Sequence, residues 1–182
     1  MKLTTKELIL CGIFAALTAI LAQISIPLPF TTIPLTLQIV AIGVTGIILG
    51  SKCGFISILI YILIGAMGVP VFAGFKGGLS ALLGPTGGFI LGFPIMVWII
   101  GYVKEKFNSP MLTVISLVLG LFIDYITGTI LFSLITGNTI INSIMLCVIP
   151  FIIVDFIKLG LAYIVGTTIS KRVSSSLHTV GN

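Results

Sequence analysis

The chain alternates long apolar stretches with short groups of proline, glycine and charged residues. The apolar stretches cover residues 8–26, 35–50, 53–69, 89–103, 111–135 and 150–171. A helix needs roughly 20 apolar residues to cross the hydrocarbon core of a bilayer. The pattern therefore predicts an all-α integral membrane protein with six transmembrane helices, which places both ends of the chain on the same side of the membrane.

Two details of the pattern refine the helix boundaries. Only Ser51 and Lys52 separate the second and third stretches, which predicts a tight turn between two antiparallel helices. Proline is favoured in the first turn of a helix, so the sixth helix is expected to begin near Pro150. Residues 139–149 then form a short helix or a re-entrant piece on the outer side.

The basic residues give the orientation. Loops on the cytoplasmic side of a membrane protein carry an excess of lysine and arginine. With six crossings, the connections and termini on one face of the membrane contain seven basic residues: Lys2, Lys6, Lys52, Lys104, Lys106, Lys171 and Arg172. The connections on the opposite face contain only Lys76. This distribution predicts cytoplasmic termini. We expect residues 1–173 to form a single transmembrane domain, followed by a polar tail over 174–182.

Composition narrows the classes of function. Hydrophobic residues make up 58% of the chain and charged residues 7%, against about 25% charged in soluble domains. The net charge is +5, and the basic residues are dispersed along the sequence singly or in pairs. This distribution favours contact with a membrane surface over binding of nucleic acid. Cys11, Cys53 and Cys147 lie in apolar runs and are interpreted as buried side chains. The single histidine, His178, falls in the polar tail, which argues against a metal site.

Two charged residues fall inside the last apolar stretch. Asp155 and Lys158 are three positions apart, so they lie on one face of the helix, in its first two turns by the register above. They form either a self-neutralising salt bridge or a site for a ligand with both donors and acceptors, such as a cyclic urea, an amide or a carboxylate. Asp124 lies inside the fifth stretch and either balances Lys158 or pairs elsewhere.

Residues 65–92 are rich in glycine. The nine glycines and two prolines of this segment suit an irregular backbone, which is tolerated at membrane depth only where it is buried or lines a cavity. A plain outer loop with a helix-packing pair at Gly88 and Gly92 is the alternative, but Phe72 and Phe75 favour an enclosed site. The proline-rich segment 26–38 is either a lid or a rigid connector.

The first helix carries closely spaced small residues. They are Gly12, Ala15, Ala16 and Ala19, and small residues four positions apart let helices approach closely. These residues either pack against other helices of the bundle or form a docking site for another membrane protein.

Motifs for energy conversion and catalysis are missing from the sequence. It contains no Gly-Lys dipeptide and hence no P-loop, and no His-Glu-x-x-His helix. We therefore expect no enzyme activity and no ATP hydrolysis by this chain, so that uphill transport needs a gradient or a partner.

Several motifs together resemble the BioY family, the biotin-specific substrate-binding components of energy-coupling factor (ECF) transporters. The motifs are Gly68-Val-Pro-Val-Phe-Ala-Gly74, Gly77-Gly78, Gly84-Pro-Thr-Gly-Gly88, Pro29-Phe30-Thr31, Pro34-Leu-Thr-Leu-Gln38, Pro150-Phe151 and Asp155-x-x-Lys158. The resemblance covers almost the whole chain. Two positions depart from the family pattern, namely Ile153-Val154 and Asp124.

The resemblance implies a function and a set of residues. It implies a six-helix S component in a prokaryotic cell membrane that binds biotin outside, without a cofactor, and docks onto a transmembrane coupling protein with two ATPases. The implied coupling-protein interface is Gly12, Ala15, Ala16 and Ala19. The implied substrate-binding residues are Asp155, Lys158, Phe72, Phe75, Gly77, Gly78, Phe89 and Gln38. A gradient-driven small-solute carrier or channel acting alone remains the alternative.

Overall fold

The computed structural model describes residues 3–179, and their side chains as far as residue 172. This part of the chain folds into seven helices and one pair of strands: α1 Thr5–Gln23, β1 Ser25–Leu28, β2 Thr31–Thr36, α2 Gln38–Ala66, α3 Leu79–Leu82, α4 Gly87–Phe107, α5 Pro110–Thr136, α6 Ile140–Cys147 and α7 Ile152–Thr179. Five helices in it are long and apolar enough to cross a membrane: α1, α2, α4, α5 and α7 over Ile152–Arg172.

Helix α2 is broken at Gly50, whose φ of 75° and ψ of −171° are not helical. The side-chain amide of Gln38 donates to the hydroxyl of Tyr61 at 2.8 Å, although a continuous helix would hold these residues roughly 35 Å apart. The chain therefore reverses at Gly50. Residues 38–49 and 51–66 form the two antiparallel arms that the apolar pattern predicts.

The turn at Gly50 is held by the end of α4. The carboxylate of Glu105 accepts hydrogen bonds from the backbone N–H of Ser51 at 3.0 Å and from its hydroxyl at 2.6 Å. Gly101, one helical turn earlier, lies directly against the backbone of Gly50 and Ser51. The thiol of Cys11 donates to the carbonyl of Cys53 at 3.3 Å. The start of α1, the turn of α2 and the end of α4 therefore share one end of the molecule.

The expectation of an all-α chain misses the two strands between α1 and α2. They pair antiparallel, with Ser25 opposite Thr36 and Leu28 opposite Thr31, and the register is irregular around Pro27. Proline cannot donate to a ladder but is accepted in edge strands, and both strands of a hairpin are edges. The prolines break the alternation in the sequence, so the pattern indicated only a lid or a rigid connector.

Helix α7 begins at Ile152, two residues after the start predicted at Pro150. Residues 148–151 form a turn in which Phe151 and Ile152 both donate to the carbonyl of Val148. The short helix expected over 139–149 is present as α6, where the hydroxyl of Thr139 accepts from the N–H of Asn142. Lys2 and residues 180–182 of the predicted tail lie outside the described residues.

The bundle is held together by a core in which α4 packs between α2 and α5. Ile42, Met96, Ile100 and Leu121 are fully or almost fully buried there. The outer surface of α5 is apolar as well, with exposed leucine, phenylalanine and isoleucine side chains at Leu119, Phe122, Ile126 and Ile130. An apolar outer surface along a helix of this length suits contact with lipid.

Candidate ligand-binding cavity

A cavity lies at the end of the molecule opposite the turn at Gly50. It includes Phe89 at the start of α4, which is 16 residues and therefore roughly 24 Å from Glu105 along the helix. Its empty volume is about 730 Å³, part of which is open to the outside. Small-molecule sites are typically concave and mostly apolar, with a few polar groups. Its apolar wall includes Ile33, Pro34, Ile39, Phe72, Phe89, Phe93, Cys147 and Phe151.

The inner wall carries a buried network of three polar side chains. The ammonium group of Lys158 lies 2.8 Å from Oδ1 of Asp155, and the hydroxyl of Tyr125 donates to Oδ2 of Asp155 at 2.7 Å. Asp155 and Lys158 are 4% and 5% exposed. Removing two charges from water is costly unless the geometry is good and further hydrogen bonds are made. The network meets this condition and presents charged groups to the cavity.

A second network of polar side chains supports another part of the cavity wall. The hydroxyl of Thr36 donates to Oε1 of Gln38 at 3.0 Å, and the hydroxyl of Tyr61, which accepts from Gln38, donates to the carbonyl of Val71 at 3.2 Å. Gln38 lines the cavity. The network joins strand β2, both arms of α2 and the glycine-rich segment at the cavity.

Phe72 is fixed at the cavity by its neighbours. Its ring is 2% exposed, stands edge-on to Tyr61 with the ring centroids 5.4 Å apart, and fills the space beside Gly65, where no Cβ would fit. Backbone hydrogen bonds between Phe72 and Lys76 close a tight loop. The glycine at position 65 is therefore required by the aromatic ring at position 72.

The structure brings five of the eight predicted substrate-binding residues to the cavity: Asp155, Lys158, Phe72, Phe89 and Gln38. The other three do not line it. Phe75 is 72% exposed, because it lies at the tip of the loop closed by Phe72 and Lys76. Gly77 lies against the carbonyl of Val69, and Gly78 donates its N–H to the carbonyl of Gly65 at 2.7 Å. These two glycines shape the segment behind Phe72.

Sequence reasoning missed other residues at the cavity, above all Tyr125, Phe93, Phe151, Thr86 and Lys76. Tyrosine in membrane helices is usually found at the two interfaces. The position of Tyr125 in the middle of an apolar stretch was thus a signal that could have identified it. Phe93 carries no such signal, since a phenylalanine in an apolar helix is ordinary.

Comparison with models of known protein families gives a match over almost the whole chain. The model of the BioY family matches residues 1–175 of the chain. The chain belongs to the BioY family.

Relatives in the BioY family are similar over most of their length. A protein of Pyrococcus horikoshii named probable biotin transporter BioY is 41% identical over 160 residues, which cover 88% of this chain and 93% of that one. The biotin transporter BioY of Thermotoga maritima is 39% identical over 166 residues, covering 91% and 96%. These relatives are named transporters, not enzymes.

A solved structure has the same fold as this BioY-family chain. It is the crystal structure of the S-component for biotin from an ECF-type ABC transporter, with a TM-score of 0.86 and 26% sequence identity. The match covers 93% of this chain and 95% of the other.

The small residues of α1 divide between two faces in this BioY-family chain. Ala15 is 3% exposed and belongs to the core, and Ala19 is half-buried beside it. Gly12 and Ala16 are exposed, and a Cβ added at Gly12 would meet no atom within 4 Å. Ala15 and Ala19 therefore pack inside the bundle, whereas Gly12 and Ala16 form an outward face.

Proposed function

We propose that this chain is the biotin-binding S component of an ECF-type ABC transporter in the cell membrane of a prokaryote. The observation that carries the proposal is the buried network of Asp155, Lys158 and Tyr125 in the wall of a cavity, in a chain of the BioY family. The ureido ring of biotin offers two N–H donors and one carbonyl acceptor. A paired carboxylate and ammonium group provide an acceptor and a donor for it.

The apolar wall suits the remainder of this ligand. Phe72, Phe89 and Phe93 come from two separate segments of the chain and line the same cavity. Ligand sites are mostly apolar, with a few placed polar groups that fix the orientation. In the proposed complex the aromatic side chains enclose the fused rings and the aliphatic chain, while the polar network holds the ureido group.

The membrane topology that follows has six crossings. They are α1, the two arms of α2, α4, α5 and α7. The lysines at the Gly50 end, of which Lys106 is exposed and Lys52 and Lys104 are half-buried, then lie on the cytoplasmic side by the positive-inside rule. The termini are also cytoplasmic, and the cavity faces the outside, where it captures biotin.

Energy comes from partners in this proposal. The sequence has no P-loop, and the structural relative is by its title part of an ECF-type ABC transporter. The chain would therefore dock onto a transmembrane coupling protein that is joined to two ATPases. The comparisons do not favour a carrier that is driven by a gradient and acts alone.

Biotin binding by the purified chain tests the proposal directly. We expect calorimetric titration in detergent to give one biotin per chain, and lipoate, a carboxylic acid that contains sulfur but lacks a ureido ring, to give no heat. Absence of heat with biotin, together with an unchanged melting temperature at millimolar biotin, would contradict the proposed function.

The outward face of α1 is the proposed contact with the coupling protein. We expect Gly12→Leu combined with Ala16→Leu to leave biotin affinity within about twofold, because neither residue lines the cavity. The same variant should lose co-purification with a co-expressed ECF module, since close helix approach needs small residues.

An exposed isoleucine on the same helix provides the control for this variant. Ile13 is exposed on the same helix, and Ile13→Leu should retain the complex. An intact complex with the double variant would exclude this face as the docking site.

A further inference from the structure

The carboxyl group of Asp124 is a buried polar group of the cavity that the networks above do not include. Asp124 lies on α5 next to Tyr125, lines the cavity and is 1% exposed. Its Oδ1 atom is buried without a hydrogen-bond partner. Ionisable residues inside a membrane are rare and usually functional, so a buried aspartate without a partner calls for a ligand or an ion to complete it.

The donors near Asp124 are engaged elsewhere. The hydroxyl of Tyr125 donates its hydrogen bond to Asp155, and the ammonium group of Lys158 pairs with the same carboxylate. The hydroxyl of Thr127 donates to backbone carbonyls, that of Asp124 at 3.0 Å and that of Ile123 at 3.2 Å, and not to the side chain of Asp124. Lys158 therefore does not balance Asp124, which answers the question that the sequence left open.

The position of the carboxyl group is built into the packing of α4 and α5. A Cβ at Gly92 on α4 would lie 2.6 Å from Oδ1 of Asp124. Only glycine at position 92 leaves room for this carboxyl group beside the cavity. Phe89 and Phe93 of the same helix also line the cavity.

The two carboxyl groups of the cavity consequently differ in what they can offer a ligand. Both oxygens of Asp155 already accept a hydrogen bond from the protein. Asp124 has a buried oxygen that accepts none. We propose that Asp124 is a further ligand-contacting residue, which accepts a hydrogen bond from an N–H group of the bound ligand and helps to select ligands with such donors.

This inference rests on the proposed function and sharpens it. A cyclic urea presents two N–H donors, and in this arrangement one of them is received by Asp124. The corresponding cyclic guanidine, found in 2-iminobiotin, keeps both N–H groups and is cationic at neutral pH, as guanidinium groups are. A carboxylate at position 124 should therefore matter more for 2-iminobiotin than for biotin.

The experiment measures the affinity of the purified full chain for biotin and for 2-iminobiotin at neutral pH. The variants are Asp124→Leu and Asp124→Asn, with Thr129→Val as the matched control. Thr129 lies on the same helix, and its hydroxyl is also buried without a partner, but it does not line the cavity. We expect Thr129→Val to bind both ligands as the unmodified protein does.

We expect Asp124→Leu to weaken biotin binding by about 10- to 100-fold, the range for loss of a hydrogen bond to a charged group. We expect both Asp124 variants to lower the affinity for 2-iminobiotin by a factor at least about tenfold larger than the factor for biotin. If Asp124→Leu fails to fold, the comparison of the two ligands with Asp124→Asn decides alone.

The failure of this inference is distinct from failure of the proposed function. Unmodified protein that binds no biotin would overturn the proposed function. Unmodified protein that binds biotin, with Asp124 variants that lose nothing or lose both ligands equally, would overturn the role of Asp124, since a purely structural residue does not distinguish the two ligands.

Discussion

The double variant Asp155→Asn with Lys158→Met is expected to lose at least about 100-fold in biotin affinity while it remains folded. Each residue of the pair is buried, and hydrogen bonds to charged groups are worth about 1.5–3 kcal/mol each. Removing both charges takes two such contacts from the ligand. It leaves neither member of this pair behind as an unpaired buried charge.

The single variants separate folding from binding. Lys158→Met leaves the Asp155 carboxylate with Tyr125 as its remaining partner, and Asp155→Asn leaves a buried ammonium group without its counter-ion. Breaking a buried pair in this way destabilises a protein by about 3–5 kcal/mol. We therefore expect both single variants to melt at lower temperature than the double variant, although all three bind biotin poorly.

Calorimetry with biotin and thermal unfolding without it measure the two effects. Lys106→Met, an exposed lysine of α4 at the far end of the molecule, is the control for removal of a positive charge and should change neither quantity. Unchanged affinity in the double variant would remove Asp155 and Lys158 from the binding site. A double variant that is more stable than the single variants but still binds biotin poorly would support contact between these two residues and the ligand.

The variant Gly101→Ala is expected to lower the melting temperature, although it adds only one methyl group to α4. Position 101 lies against the backbone of Gly50 and Ser51, and a backbone cannot move aside as a flexible side chain can. Overpacking of this kind costs about 1–3 kcal/mol or more. The clash would push α4 away from the turn of α2 and disturb the hydrogen bonds between Ser51 and Glu105.

A second alanine substitution is the matched control. Gly160→Ala lies in α7, where the added Cβ meets no atom within 4 Å, and alanine favours a helix by about 1 kcal/mol over glycine. We expect Gly160→Ala to raise the melting temperature or leave it unchanged. If Gly101→Ala behaved in the same way, α4 would not be in close contact with the turn at Gly50.

The sequence by itself determined the features that depend on neighbouring residues. The apolar stretches located the long helices, because the length of such a run directly reflects the thickness of a bilayer. The hairpin around Ser51 followed from how close two stretches lie, and the placement of Asp155 and Lys158 on one face of a helix followed from the helical period. The motifs of the glycine-rich segment were specific enough to indicate the family.

Only the tertiary structure decided which residues meet across the chain. It brought Tyr125 to Asp155, left Asp124 at the cavity without a protein partner, turned Phe75 outward and separated Gly12 from Ala15 on α1. Residues 25–28 and 31–36 became strands because they pair with each other, although their prolines conceal the alternation. The physical reason is that helix rotation and strand pairing are set by packing between distant segments, which local sequence patterns do not encode.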